Sequence, residues 1–147
     1  MFVDPKDFVK GGDSNGVAVN VNAAEVKGYQ GNPFVVTSGD KETQLDRTTY
    51  EMQTMIDPGD PDKKREINHM YPGIYAFDSD VYLDLPEGYI GMLKATVRMA
   101  EAGCTVEGFF RPGYKGLITG QLNVNGGEFF FEPGEDIAEL YVQRVGE

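Results

Sequence analysis

A chain of 147 residues with 13 Lys and Arg against 24 Asp and Glu, a net charge of −11, is about one domain. Folding should bury roughly 68–70% of its unfolded surface, enough for one core without disulfides or metals. The acidity argues against a broad nucleic-acid surface, which needs clustered Lys and Arg to replace counterions. The sequence has no apolar run near the roughly 20 residues that span a bilayer, so no membrane partner is expected. Met1-Phe2-Val3-Asp4 has neither a basic n-region nor an apolar h-region, so no secretory signal is expected.

Nineteen Gly and eight Pro break the chain into short pieces, which favours strands and tight turns over long helices. Val17, Val19 and Val21 alternate with Ala18, Asn20 and Asn22, the period of a half-buried strand. Phe34-Val35-Val36-Thr37 is a short β-rich run. Tyr50, Met52, Thr54 and Ile56 alternate with Glu51, Gln53 and Met55, again strand-like, although Leu45, Met52 and Ile56 also allow an amphipathic helix from about Lys41. The polar stretch from Asp57 to Glu66 contains Pro58 and Pro61, which forbid a helix. It reads as a long surface loop, about 57–66, within a single domain of residues 1–147.

Strands are then expected over Asp80–Leu85, Tyr89–Val97, Thr105–Phe110, Gly116–Val124, Phe129–Phe131 and Asp136–Val145. Arg98–Gly103 has helix formers and a Gly stop and is read as one helical turn. Turn signals about every 8–12 residues mean an all-β sandwich, barrel or jelly roll. Cys104 is alone in an apolar context, which favours a small buried hydrophobe over a reactive thiol. His69 is the only histidine, so a His-rich metal site, a Ser-His-Asp triad and a Cys-His pair lack parts. Asp78, Asp80 and Asp84 fit either a hard-cation site or a solvated strand face, and no metal is assigned to them. Successive strand residues point to opposite faces, so Phe129, Phe130 and Phe131 need two apolar environments: a subunit interface or a sandwich interior.

The second half carries ordered punctuation: Tyr71-Pro72-Gly73, Leu85-Pro86, Arg111-Pro112-Gly113-Tyr114-Lys115-Gly116 and Pro133-Gly134-Glu135-Asp136-Ile137-Ala138. Over about the last 75 residues this order and spacing resembles the dUTPase and dCTP deaminase superfamily. Residues 1–65 match poorly. The resemblance implies an all-β, dUTPase-like jelly roll or distorted barrel, assembled as a homotrimer with sites between subunits.

The same resemblance shows where the chemistry departs. The dUTPase Asp that activates water falls at Arg111, and a guanidinium cannot act as a base. The deaminase Glu that shuttles protons falls at Gln121. The Arg-Ser-Ser phosphate turn falls at Thr96-Val97-Arg98, and a family Gln falls at Glu139. No Gly-rich arm stands ahead of Glu147. No catalytic residue is therefore assigned. Lys94, Arg98, Arg111, Tyr114 and Lys115 have two readings: a phosphate-binding set, or interface residues that pair with nearby acids. The expected function is a non-catalytic structural or interaction protein. Its concrete form is a trimeric phage capsid decoration (cement) protein on a major capsid protein, located in the virion or otherwise cytoplasmic. The alternatives are a nucleotide enzyme (dUTP diphosphatase or dCTP deaminase, with Mg²⁺ its only expected cofactor) and a catalytically dead nucleotide-binding regulator.

Overall fold

The computed structural model describes residues 2–30, 46–49, 53–57, 60–127 and 129–145. The Phe34–Thr37 run, Tyr50 and Met52 lie outside them. The chain enters through β1 (Phe2–Val3), a 3₁₀ turn (Pro5–Phe8), β2 (Val9–Lys10), β3 (Val19–Asn22) and β4 (Glu25–Gln30). It continues through β5 (Asp46–Thr49), β6 (Gln53–Asp57), β7 (Asp60–Met70) and β8 (Gly73–Asp84). After β9 (Tyr89–Ala95) comes the short helix α1 (Val97–Glu101). The remainder is β10 (Cys104–Glu107), β11 (Phe109–Phe110), β12 (Lys115–Val124), β13 (Phe129–Phe131) and β14 (Asp136–Arg144). The described protein is all-β apart from these two short helical turns.

Two antiparallel sheets face each other. One runs β1-β14-β9-β11 with β3 also on β14; the other runs β10-β12-β8-β4-β5 with β2 on β8. Alternation puts Val19, Val21, Leu93, Phe110, Leu140 and Val142 inward from the first sheet. Val26, Phe77, Leu83, Val106, Ile118, Leu122 and Val124 meet them from the second, in one continuous core. The outward positions between them are polar or part-exposed, the pattern of a sandwich wet on its outer faces.

Two irregularities shape the sandwich. On β8, Ser79–Val81 faces the single residue Ile118 where the β12 register shifts. Ser79 is buried there; its hydroxyl donates to the Ile118 carbonyl at 2.7 Å and accepts from Val81 N at 3.1 Å, so the bulge leaves no unmet polar group at this side chain. On β14 the register shifts between Asp136 and Ala138, which lets the neighbours Ile137 and Ala138 both be buried.

Several expectations need correction. The stretch read as a surface loop is mostly strand: β7 begins at Asp60 and pairs with β6. Ile56 pairs with Lys64 and Asp57 with Asp60, so Pro61 falls at the register shift of this ladder, an irregularity of the kind where a residue without an N–H is found. The helix alternative from Lys41 gives way to strands over its described parts, Asp46–Thr49 and Gln53–Asp57. The expected Thr105–Phe110 strand is split at Gly108, where the chain leaves one sheet for the other: β10 pairs with β12 and β11 with β9. A Cβ at Gly108 would lie 2.7 Å from Leu93 Cδ1, so a larger residue at this crossing would push the Leu93 side chain aside. The helical turn starts at Val97, one residue earlier than expected, because the Thr96 side chain caps it by accepting from Met99 N. Val17 is exposed rather than half-buried, and the strand proper starts at Val19.

Candidate functional site

The residues singled out in the sequence are spread over the molecule. Arg98 projects from α1 and its guanidinium donates to the Glu135 carboxylate. The other Glu135 oxygen accepts from Glu132 N at 3.2 Å, so this pair ties α1 to the Pro133-Gly134 turn. Arg111 and Lys115 are exposed on the turn between β11 and β12, and Lys115 stands opposite Asp84 in the ladder. Gly113 takes φ +86° in that turn, a conformation that favours glycine, and Tyr114 N donates to Arg111 O at 3.1 Å. Tyr114 pins the turn: its hydroxyl donates to Leu117 O at 2.6 Å and its ring packs on Phe110 with centroids 4.8 Å apart. Burial, then the charge of Asp78, raises its pKa. The motif residue Tyr114 thus has a structural role in this chain.

Lys94 is elsewhere. It is exposed on β9, opposite Glu139 on β14. It lines an open groove of about 470 Å³ at the corner where β10 passes into β11. Met92, Glu107, Gly108, Phe109 and Gln121 share that lining. Gln121 and Glu107 are direct partners in the β12–β10 ladder. The Gln121 amide Nε2 donates to Asn123 Oδ1 at 3.3 Å, and Asn123 Nδ2 donates to Thr105 Oγ1 at 3.1 Å. Phe109 is 60% exposed at the groove's edge, opposite Met92. This open surface gathers the Glu107 carboxylate, the Gln121 amide, the Lys94 ammonium and the Phe109 ring. Those groups suit hydrogen bonding and stacking to a small planar polar ligand.

Of the basic residues singled out beforehand, this groove gathers Lys94 alone, together with Gln121. Glu107, Phe109 and Met92 were not singled out. The signal available was pairing: Thr105 and Glu107 are the outward positions of β10, and the antiparallel pairing of β10 with β12, across the excursion through β11, sets Glu107 against Gln121.

The three phenylalanines behave as alternation requires. Phe131 is buried, Phe129 packs against the core, and Phe130 is 45% exposed on β13. Phe130 stacks on His69 with centroids 4.3 Å apart, and His69 lies 4.3 Å from the Tyr71 ring. A second, smaller hollow of about 220 Å³ includes Asp13, Asn20, Asn22, Asp80 and Asp136. Asp80 there accepts from Asn22 Nδ2 at 3.0 Å. Among the described residues no three His, Cys, Asp or Glu side chains converge as metal ligands would.

No family model and no curated protein matches the chain. Solved structures do. A dCTP deaminase from Agrobacterium tumefaciens superposes with a TM-score of 0.66 at 9% identity, over 99% of this chain and 46% of that one. The EIAV dUTPase superposes with a TM-score of 0.50 at 16% identity, over 82% of this chain and 90% of that one. This chain therefore spans less than half the length of the deaminase it matches. At these identities the likeness is one of fold: the chain has the all-β, dUTPase/dCTP deaminase-like fold that its motif order implied.

Proposed function

We propose that this protein binds a nucleotide in the groove at Gln121 without hydrolysing or deaminating it, the catalytically dead alternative raised by the sequence. The observation that carries the reading is the convergence of Lys94, Glu107, Gln121 and Phe109 in one concavity. The motif order puts a catalytic carboxylate at Gln121, and a Gln there keeps hydrogen bonding while losing proton transfer. The likeness in fold to a dCTP deaminase and a dUTPase favours this reading over a capsid role. Incubation with dUTP and dCTP in the presence of Mg²⁺, followed by separation of products, tests the absence of catalysis. Turnover near about 1 per second overturns it.

A second reading keeps the expected homotrimer and makes assembly the function. It is favoured by Phe130, exposed on β13. A capsid decoration trimer is its concrete form, and Phe130 would be the contact. Light scattering at micromolar concentration tests this second reading, and a monomer rejects it. Phe130→Asp breaks a trimer built on that strand, because an unpaired charge at the contact costs several kcal/mol.

A further inference from the structure

We propose that Asn125-Gly126 is a site of spontaneous deamidation, and that its product loosens the clasp between the β12–β13 turn and the turn after α1. The chain has two Asn-Gly pairs, Asn15-Gly16 and Asn125-Gly126. A glycine after asparagine leaves its backbone N open to the Asn side chain, because no Cβ stands beside it. Both pairs are exposed, so water reaches both. Their hydrogen bonding separates them. At the first, Asn15 Oδ1 accepts from Val17 N and Ala18 N, both at 2.9 Å, and Gly16 N donates to Ser14 Oγ at 3.1 Å. The electrophilic side chain and the attacking N–H are both held, and reaching the geometry of attack breaks these bonds. At the second, neither the Asn125 side chain nor Gly126 N is engaged by any described residue.

In the reaction the Gly126 nitrogen bonds to Asn125 Cγ as its proton passes to water. The Cγ–Nδ2 bond breaks, and Nδ2 leaves as ammonia. Water then opens the five-membered imide at one of its two carbonyls. One opening gives an aspartate; the other gives an isoaspartate, which carries one further carbon in the main chain. The backbone here has no room for it. Asn125 N donates to Gly103 O at 3.1 Å, a Cβ on Gly103 would lie 2.7 Å from Gly126 Cα, and one on Gly126 would lie 2.8 Å from Ala102 O. A contact too close for a methyl on either glycine is also too close for a longer main chain. Both products add a carboxylate to a chain of net charge −11.

Holding the full chain in mildly alkaline buffer and mapping its peptides by mass over time tests this. Each pair is compared with its own rate in the guanidinium-unfolded chain, which removes the contribution of neighbouring residues. The expected result is little slowing by the fold at Asn125 and slowing of at least about tenfold at Asn15, where several hydrogen bonds break first. Ser14→Ala frees Gly16 N and should restore part of the Asn15 rate. Aged wild type should melt below fresh wild type. Asn125→Gln, whose longer side chain does not close the five-membered ring, should melt alike fresh and aged. Equal slowing at both pairs, greater slowing at Asn125, or an unchanged Asn15 rate in Ser14→Ala overturns the assignment of the site. Deamidation at Asn125 with no loss of melting temperature overturns the loosening of the clasp.

Discussion

Strands β9, β10 and β12 each have two faces, and the two do different work. Inward, Leu93, Val106 and Leu122 are buried in the core. One residue along, Lys94, Glu107 and Gln121 are less buried and line the groove, which also reaches Leu93 and Val106 at the edge where the two sheets meet. The same backbone holds both sets, so the rigidity of the core is also the rigidity of the site. The difference is in what constrains each residue. An inward position must be apolar and of the right volume. An outward one is limited only by the ligand or solvent it meets. Substitutions inward should therefore cost stability, and substitutions outward should cost binding.

The largest expected effect is Leu122→Ala. This side chain has no exposure, and truncation should lower stability by about 2–5 kcal/mol in urea unfolding. Gly120→Ala sharpens the comparison from the crowded side: its Cβ would lie 2.9 Å from both Leu93 Cδ1 and Phe77 Cε1. About 1–3 kcal/mol of destabilisation should follow from overpacking, measured the same way. Ser79→Ala tests the bulge. It strands the Val81 N–H and the Ile118 carbonyl and should cost about 1–3 kcal/mol. Gln121→Ala belongs to the other face: stability should stay within about 0.5 kcal/mol of wild type while nucleotide affinity falls. Arg98→Ala is also small, under about 1 kcal/mol, because the guanidinium end of its pair with Glu135 is largely exposed.

The inward face also sets a pH dependence. Burial raises the pKa of the Cys104 thiol above its ordinary 9.0. A raised folded-state pKa gives stability that is whole below 9.0 and is lost as pH climbs through the folded value. Tyr75, raised mainly by burial from 10.0, acts in the same direction at higher pH. Unfolding midpoints should therefore fall above pH 9, and Cys104→Ala should remove the first part of that fall.

The comparison also explains what could be read from the sequence. The core was legible wherever alternation held: Val19 and Val21, Val81 and Leu83 of β8, and Ile118, Leu122 and Val124, whereas the first half of β8, Gly73–Ser79, was not read as strand. The turns were legible because Pro112-Gly113 and Pro133-Gly134 restrict the backbone locally. The β6–β7 pair was not, because Asp60–Glu66 is charged and interrupted by Pro61, and nothing local marks it as paired. The site was half legible. Gln121 and Lys94 stood out by motif position and by charge. Glu107 and Phe109 join them only through the crossing at Gly108, a long-range feature without a local signature. The converse also holds: Arg98, Arg111 and Lys115 lie close to Lys94 in sequence, yet within one chain none of them lines its groove.

Nucleotide binding is placed in the groove at the sandwich edge where β9, β10 and β12 meet beside Gly108. The most direct measurement is the melting temperature of wild type and of Glu107→Lys with and without dUTP or dCTP. A ligand held only by the native state, at a hundredfold excess over Kd, stabilises it by about 2.7 kcal/mol. The account predicts a clear rise for wild type and none for Glu107→Lys. No rise in wild type, or an equal rise in both proteins, would contradict it.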